Sequence, residues 1–294
     1  MDKPKATPKD FFLWAGAMIA LYVAVFNFIA LVWDYINYAF PNPLSYYPAD
    51  PYQSGISWEM ATLIVLTPLF LALMYFIHKD IKNDPSRADI WVRRWALYLT
   101  LFVAGFTMAA DLIYVLYAFL NGTDITTEFL LKALIVLLVA AAGFMHFIAD
   151  LWGYWGKYPM RNRYVSIGVG VLVLCTIIAG FFIVGTPMQA RLYHFDEQKV
   201  NDLQQIQSQV TYYYQAKQKL PASLGDLTNS ISGFVAPQDE QTGQAYVYKT
   251  TATLSFELCA TFNTPTRPGQ SQATVPEPAG LGPSGRGFDN WQHG

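Results

Sequence analysis

Three ionisable side chains, Asp111, His146 and Asp150, lie inside stretches too apolar to be loops. A charged group in hydrocarbon is costly, so such residues mark ion or proton paths, or pair with one another. His146 and Asp150 stand four residues apart and share a helix face, which Ala142 and Gly143 extend. Small residues there let a neighbouring helix approach closely. Three chemistries fit this pattern. In the first, Asp150 pairs with Arg93, Arg94 or Arg161 while His146 bonds a backbone carbonyl, a structural arrangement. In the second, Asp111, His146 and Asp150 line a proton or cation pathway. In the third, His146 ligates a metal or haem, although its only membrane-side partner, His78, is placed too shallow.

Five apolar segments must position these groups: Phe11–Trp33, Met60–Ile77, Trp95–Leu120, Phe129–Trp155 and Tyr164–Val184. Each meets or approaches the roughly 20 residues that span about 30 Å of hydrocarbon as a helix. Pro68 predicts a kink in the second. Asp111 falls about 24 Å beyond Trp95, in the outer half, and His146 about 14 Å from Trp155. The first segment is too long for a signal-peptide core and reads as a retained span.

Basic residues set the predicted orientation. Lys3, Lys5 and Lys9 precede the first span. Lys79, Lys82, Arg87, Arg93 and Arg94 separate the second from the third, and Lys157, Arg161 and Arg163 the fourth from the fifth. The alternate connections hold Asp34, Asp50, Glu59, Asp124 and Glu128, with no Lys or Arg before Lys132. The N-terminus is therefore expected in the cytoplasm and the region after Val184 outside the inner membrane. Seven tryptophans, from Trp14 to Trp155, fall mostly near span ends, as interfacial anchors do. The proline-rich loop Asp34–Ser57 reads as an ordered outer cap, with a binding lid as the alternative.

The composition agrees. Of 294 residues, 53% are hydrophobic and 14% charged, against about 25% charged in soluble proteins. A net charge of -2 gives no electrostatic footprint for nucleic acid.

After Thr186-Pro187 the chain turns polar. Val200, Leu203, Ile206, Val210 and Tyr213 recur at helical spacing, and Leu220-Pro221 should end that helix. Two alternating runs, Ala245–Lys249 and Leu254–Phe262, predict an antiparallel strand pair after a polar turn at Asp239–Gly243. Asn263 to Gly287 is rich in Pro, Gly and Ser and reads as loop.

The run "DLQQIQSQVTYYYQAKQKLP", the segment "P-x-D-x-x-T-G-x-x-Y-x-Y" and one outward span before them resemble a type IV pilin or type II secretion pseudopilin between Gly180 and Phe262. The resemblance implies a helix whose outer half packs on a small sheet, contacts to pilin-type envelope proteins, and Tyr212, Tyr214, Asp239, Gly243 and Tyr246 as candidate interaction residues. "GKYPMRNRYVSIGVGVLV" lacks the pilin leader-peptidase site, so the implied domain stays tethered to the bundle. The first four spans, with "FxxxxDLxxxxYAFL" in the third, resemble an uncharacterised four-helix membrane domain, which brings no activity.

The expected fold is thus a five-helix membrane bundle plus a small α+β pilin-like extracytoplasmic domain. It divides into a four-helix domain (1–158), a fifth span (159–186), the pilin-like domain (187–262) and a tail (263–294).

No Walker loop, dinucleotide fingerprint or nucleophile elbow occurs, and no cofactor, structural zinc or other metal is expected. His194 and His293 read as surface residues. Asp196, Glu197 and Asp202 read as a solvated acidic face rather than a calcium loop. Asn121-Gly122-Thr123 matches a glycosylation sequon in a tight turn and is discounted. Cys175 lies in a span and Cys259 in the polar region, so they are not expected to meet. Cys259 is the disulfide candidate, through a cysteine beyond Gly294 or through a linked homodimer. The leading expectation is a non-enzymatic protein whose partners are the lipid bilayer, envelope proteins and a second copy. The alternative is a small transporter or ion-conducting subunit using Asp111 and His146.

Overall fold

The computed structural model describes residues 7–40, 55–228 and 233–264. Residues 41–54 of the expected cap loop, the segment after Thr264, Trp291 and His293 lie outside them, while Asp34–Ala39 and Ile56–Ser57 of that loop belong to helices. Two compact units are present, Met1–Gly185 and Thr186–Gly294.

The first unit is helical: α1 (Pro8–Ala39), α2 (Ile56–Asn83), α3 (Trp91–Leu120), α4 (Thr127–Leu151), the single turn α5 (Tyr154–Lys157) and α6 (Pro159–Val184). A 3-10 turn, Pro85–Asp89, joins α2 to α3. Local signals start the helices. Thr7 and Asp10 form a reciprocal capping box before α1, with Pro8 in the first turn. Thr126 accepts from the Phe129 amide before α4. Four of these helices are longer than the apolar stretches that announce them, because polar residues at their ends continue the hydrogen-bond ladder. The fourth is shorter at its C-terminal end. Gly153 adopts a left-handed φ of 71°, which a residue without Cβ accepts readily, and this ends α4 before Trp155. Pro68 lies within an unbroken α2.

α1 packs along α2 and α3 along α4, while α6 lies against α2 and α1. Two apolar cores hold them together. Trp14, Ala17, Met18, Ile77, Ile90, Val92 and Ala96 fill one end. Leu31, Ile56, Met60, Leu63, Ile177 and Val184 fill the other. The outward faces are as apolar as the inward ones: Phe26, Phe102, Phe106, Leu120 and Phe182 are all at least 66% exposed. A water-soluble protein rarely carries such continuous apolar surface. Five helices are long and apolar enough to cross a membrane.

The second unit opens with its own capping box, Thr186 with Gln189, ahead of α7 (Pro187–Lys217). α7 stops at Lys217, not Leu220, because Gln218 turns left-handed at φ 52° and its amide closes on Tyr214 O. A 3-10 turn (Leu224–Leu227) follows, then β1 (Val247–Ala252) and β2 (Ser255–Cys259). The strands pair antiparallel, Val247 opposite Cys259 and Lys249 opposite Glu257, with an irregularity between Thr250 and Ala252. Leu203, Ile206 and Val210 on α7 form the core with Leu227 and Tyr246. Tyr248, Phe256 and Leu258 pack onto it. Among the described residues the unit is a helix with a two-stranded sheet, and no more of a pilin fold than that is present.

Candidate functional site

α1 runs on to Ala39 and α2 begins at Ile56. Asp34 and Glu59, connection residues in the sequence reading, therefore stand on packed helices. Their carboxylates converge on Gly55, the residue capping α2. A Cβ built there would lie 2.8 Å from Glu59 Oε1 and 3.8 Å from Asp34 Oδ2. Glu59 is 9% exposed, and its Oε2 is shut from solvent without a hydrogen-bond partner. The second apolar core lies beside them, since Ile56 and Met60 flank Glu59 on α2. Tyr35 donates its hydroxyl to Thr176 O on α6 at 2.8 Å. A Cβ on Gly180 would overlap Met60 Sδ and the Tyr35 hydroxyl, so a larger residue there would make these two side chains move. No Lys or Arg occurs between Lys9 and Lys79. That gap, spanning two acids, is the signal by which the sequence could have marked the pair.

The opposite end carries compensated charge. Arg87 Nη1 donates to Asp10 Oδ1 at 2.8 Å, and Lys9 Nζ to Asp80 Oδ2 at 2.6 Å. Arg93 Nη2 donates to both Asp150 oxygens, at 3.0 and 3.2 Å, joining the start of α3 to the end of α4. His146 sits one turn from Asp150, its ring 5.1 Å from that of Trp155 and 5.3 Å from that of Phe147. Trp155 Nε1 donates to the His146 carbonyl at 3.0 Å, and the imidazole makes no hydrogen bond among the described residues. His146 and Asp150 share a face; Asp111 is elsewhere. The antiparallel register of α3 and α4 sets Tyr114 against Phe129 and Gly105 beside Phe144. Asp111 is thus level with the region of Lys132, about 20 Å along the bundle from His146. Lys132 is engaged by Glu128 at 2.5 Å. Asp111 is half-buried and makes no hydrogen bond or ion pair with the described residues.

The C-terminal unit holds a buried polar clasp. Asp196 is 4% exposed and Lys199 3%. Asp196 accepts from the backbone amides of Asn263 and Thr264, the Asn263 side-chain amide and the Thr264 hydroxyl, all at 2.7–3.0 Å. Lys199 Nζ donates to Gln241 Oε1 at 3.0 Å and Thr261 O at 2.8 Å, with Asp239 Oδ2 at 3.6 Å and Asp196 Oδ1 at 3.8 Å. Asp239 in turn accepts from the Gln241 amide and the Thr242 hydroxyl. Burial alone would raise the Asp239 pKa. The bonds from Gln241 and Thr242 and the Lys199 charge outweigh it and hold the group below the usual carboxylate range.

The predicted solvated acidic face is corrected here. Asp196 is inside, and Asp202 accepts the Tyr246 hydroxyl at 2.7 Å. The returning chain covers a side of α7 that helical periodicity alone leaves to solvent. Burial, and then the Asp202 carboxylate, push the Tyr246 phenol above its ordinary range. Of the five candidate interaction residues, Tyr212 (72% exposed) and Gly243 are at the surface and Tyr214 is half-buried. Asp239 and Tyr246 are buried and serve the interior. Gly243 adopts φ 70° and donates its amide to Asp239 O at 2.7 Å, which closes the turn.

Cys175 and Cys259 are both free thiols, on α6 and β2. Burial, then the Glu257 charge and hydrogen bond, push the Cys259 thiol up. Among the described residues no three of His, Cys, Asp and Glu gather as metal ligands.

No curated protein and no solved structure matches the chain, and nothing in these comparisons links the C-terminal unit to pilins. Residues 10–147 match a domain of unknown function, DUF5671, a stretch that takes in Asp34, Glu59, Asp111 and His146 and stops before Asp150, α6 and the C-terminal unit.

Proposed function

We propose that this chain is a five-span protein of the cytoplasmic membrane that displays its C-terminal unit on the extracytoplasmic side as an interaction module. The observation that carries this reading is the self-sufficiency of that unit. Its helix stripe Leu203, Ile206 and Val210 is buried by its own sheet and turn. Its charged residues Asp196, Lys199 and Asp239 are satisfied by its own chain. A domain built this way needs no partner to fold and is free to offer its surface to one. The orientation rests on charge. Basic residues gather at the end of the bundle where α1 and α3 start and α2 and α4 finish, and the other end is acidic. The pilin-like spacing supports pilin or pseudopilin assemblies as the partner class, with Tyr212 and Gly243 the candidate residues accessible for contact, and a second copy of the chain as a further partner.

The test is a crosslinking pull-down from native membranes with the intact chain and with one truncated after Thr186. Envelope partners that disappear with the tail support a tethered interaction module. Partners that persist without it, or none at all, refute it.

Asp111 favours a second reading, an ion- or proton-conducting subunit. A half-buried acid within a span, with no bond among the described residues, is the kind of group that transport pathways use. Flux in liposomes decides: Asp111→Asn abolishes proton-coupled uptake if the reading holds and leaves it unchanged if it does not.

A further inference from the structure

We propose that the corner where α5 meets α6 binds an anionic phospholipid, its phosphate on Arg161 and an acyl chain along the first half of α6. The inference rests on the five helices crossing a bilayer, and neither on the interaction module nor on which side the termini face.

Charge is the first observation. Among the described residues, each carboxylate at this end of the bundle already meets a base: Asp10 and Asp84 with Arg87, Asp80 with Lys9, Asp89 with Arg94, and Asp150 with Arg93. None is left for Lys157, Arg161 and Arg163, and the sequence has no Asp or Glu from Leu151 to Phe195. Basic residues clustered at the membrane surface without acids attract anionic headgroups. Lys79 and Lys82, at the end of α2, also make no ion pair with the described residues, but no aromatic ring holds them. Arg161 is held. Its guanidinium lies 4.8 Å from the centre of the Tyr158 ring, and Nη1 donates to the Tyr154 hydroxyl. The two tyrosine rings pack against each other at 4.9 Å. A guanidinium has five N–H donors, so the rest of this fixed fork is free for the paired oxygens of a phosphate.

The second observation is apolar and independent of the first. Every residue from Tyr164 to Leu172 is exposed, which in a helix means every face. A Cβ on Gly168 or Gly170 would meet nothing within 4 Å. Only from Ile177 onward, with Gly180 and Val184, does α6 enter the apolar core. The first half of α6 therefore offers hydrocarbon a bare helix directly beside the held guanidinium. A second copy is the competing occupant. Two copies packed in parallel along this half would set their basic corners side by side with no acid between them, so charge favours the lipid. Phosphatidylcholine is disfavoured in the same way, since it brings a cation of its own.

The test titrates the purified full-length protein in detergent with phosphatidylglycerol and with phosphatidylcholine of the same acyl chains. Native mass spectrometry reads the apparent Kd of the first lipid bound. Phosphatidylglycerol is expected to bind more tightly. Arg161→Gln raises its Kd about fivefold. Tyr158→Leu keeps every charge and raises it too, and carries the test should Arg161→Gln fail to fold. Lys79→Gln combined with Lys82→Gln leaves it unchanged. Equal affinity for the two lipids overturns the proposal. So does a Kd that Arg161→Gln and Tyr158→Leu leave alone, or that the double lysine variant raises as much, since diffuse charge would then suffice. Displacement of the lipid by inorganic phosphate would give the corner to a free anion, and a dimer that binds no lipid would give it to a second copy. Either result overturns the proposal as well.

Discussion

Lys199 and Asp239 meet at 3.6 Å inside the C-terminal unit, their side chains 4% and 12% exposed. Lys199 is the fixed point of the clasp, because its ammonium also bonds Gln241 and Thr261. The turn at Asp239 and the chain leaving β2 are thus both held to α7 by one side chain.

Removing one partner of a buried pair strands the other, at about 3–5 kcal/mol. Lys199→Met is expected to destabilise the C-terminal unit by about 3 kcal/mol, read by pulse proteolysis of the full-length protein in urea. Lys199→Met combined with Asp239→Asn recovers part of the loss, since the stranded charge is gone. A double variant no better than the single would show that Asp239 is not the charge that matters.

The same pair sets an acid limit. The folded pKa of Asp239 is depressed, so the stability it contributes is fully present above the unfolded value of about 3.9 and is lost as pH falls through the lower folded value. Protease resistance of the unit should hold from pH 7 to about 4 and decline below that. Asp239→Asn should flatten this part of the profile. An unchanged acid limb in that variant would assign it to other carboxylates.

Gly180 on α6 lies against Met60 of α2 and Tyr35 of α1. Gly180→Val places atoms where Met60 and Tyr35 now stand, and overpacking of this kind costs about 1–3 kcal/mol. The expected outcome is a lower Tm in detergent, partly restored by Met60→Ala. Absence of rescue would mean that the close approach at Gly180 is not what limits packing there.

Arg93 and Asp150 tie α3 to α4. Arg93→Gln should destabilise the bundle by about 1 kcal/mol, and exchanging the two charges should restore it. A pair retained for packing responds in this way. If Asp150→Asn instead abolishes flux in liposomes while Tm is unchanged, the residue belongs to a conduction path.

Cys259 reports both its own chemistry and the orientation of the chain. With its thiol pushed up by burial and Glu257, little thiolate exists at pH 7, and maleimide labelling should be slow there and quicken as pH rises beyond about 9. In a Cys175→Ser background, a membrane-impermeant reagent should label Cys259 in intact cells. Labelling only after permeabilisation would invert the proposed topology.

The membrane bundle was legible because hydrocarbon leaves an unambiguous mark. Long apolar runs, charged connections and tryptophans at the ends all point to the same five segments. The stripe Leu203–Ile206–Val210 was legible for a similar reason, as its 3.6-residue period has one physical source. The acid pair was not. Asp34 and Glu59 look like loop residues because apolar length, not hydrogen bonding, defines a span in sequence, and the helices run past their apolar stretches. Asp196 and Asp239 misled in the same sense: their burial depends on chain forty or more residues away, which no local pattern encodes. The end of α7 was missed by a few residues because Gln218, not the visible Pro221, makes the left-handed turn.

Asp196 joins the chain beyond β2, at Asn263 and Thr264, to the N-terminal third of α7. The unit's entrance and exit are thereby stapled side by side. A pull on whatever follows Thr264 enters α7 directly through that carboxylate and bypasses the hairpin and the outer half of the helix. The strands would be spared the load, and the staple at Asp196 would be the first element to give way.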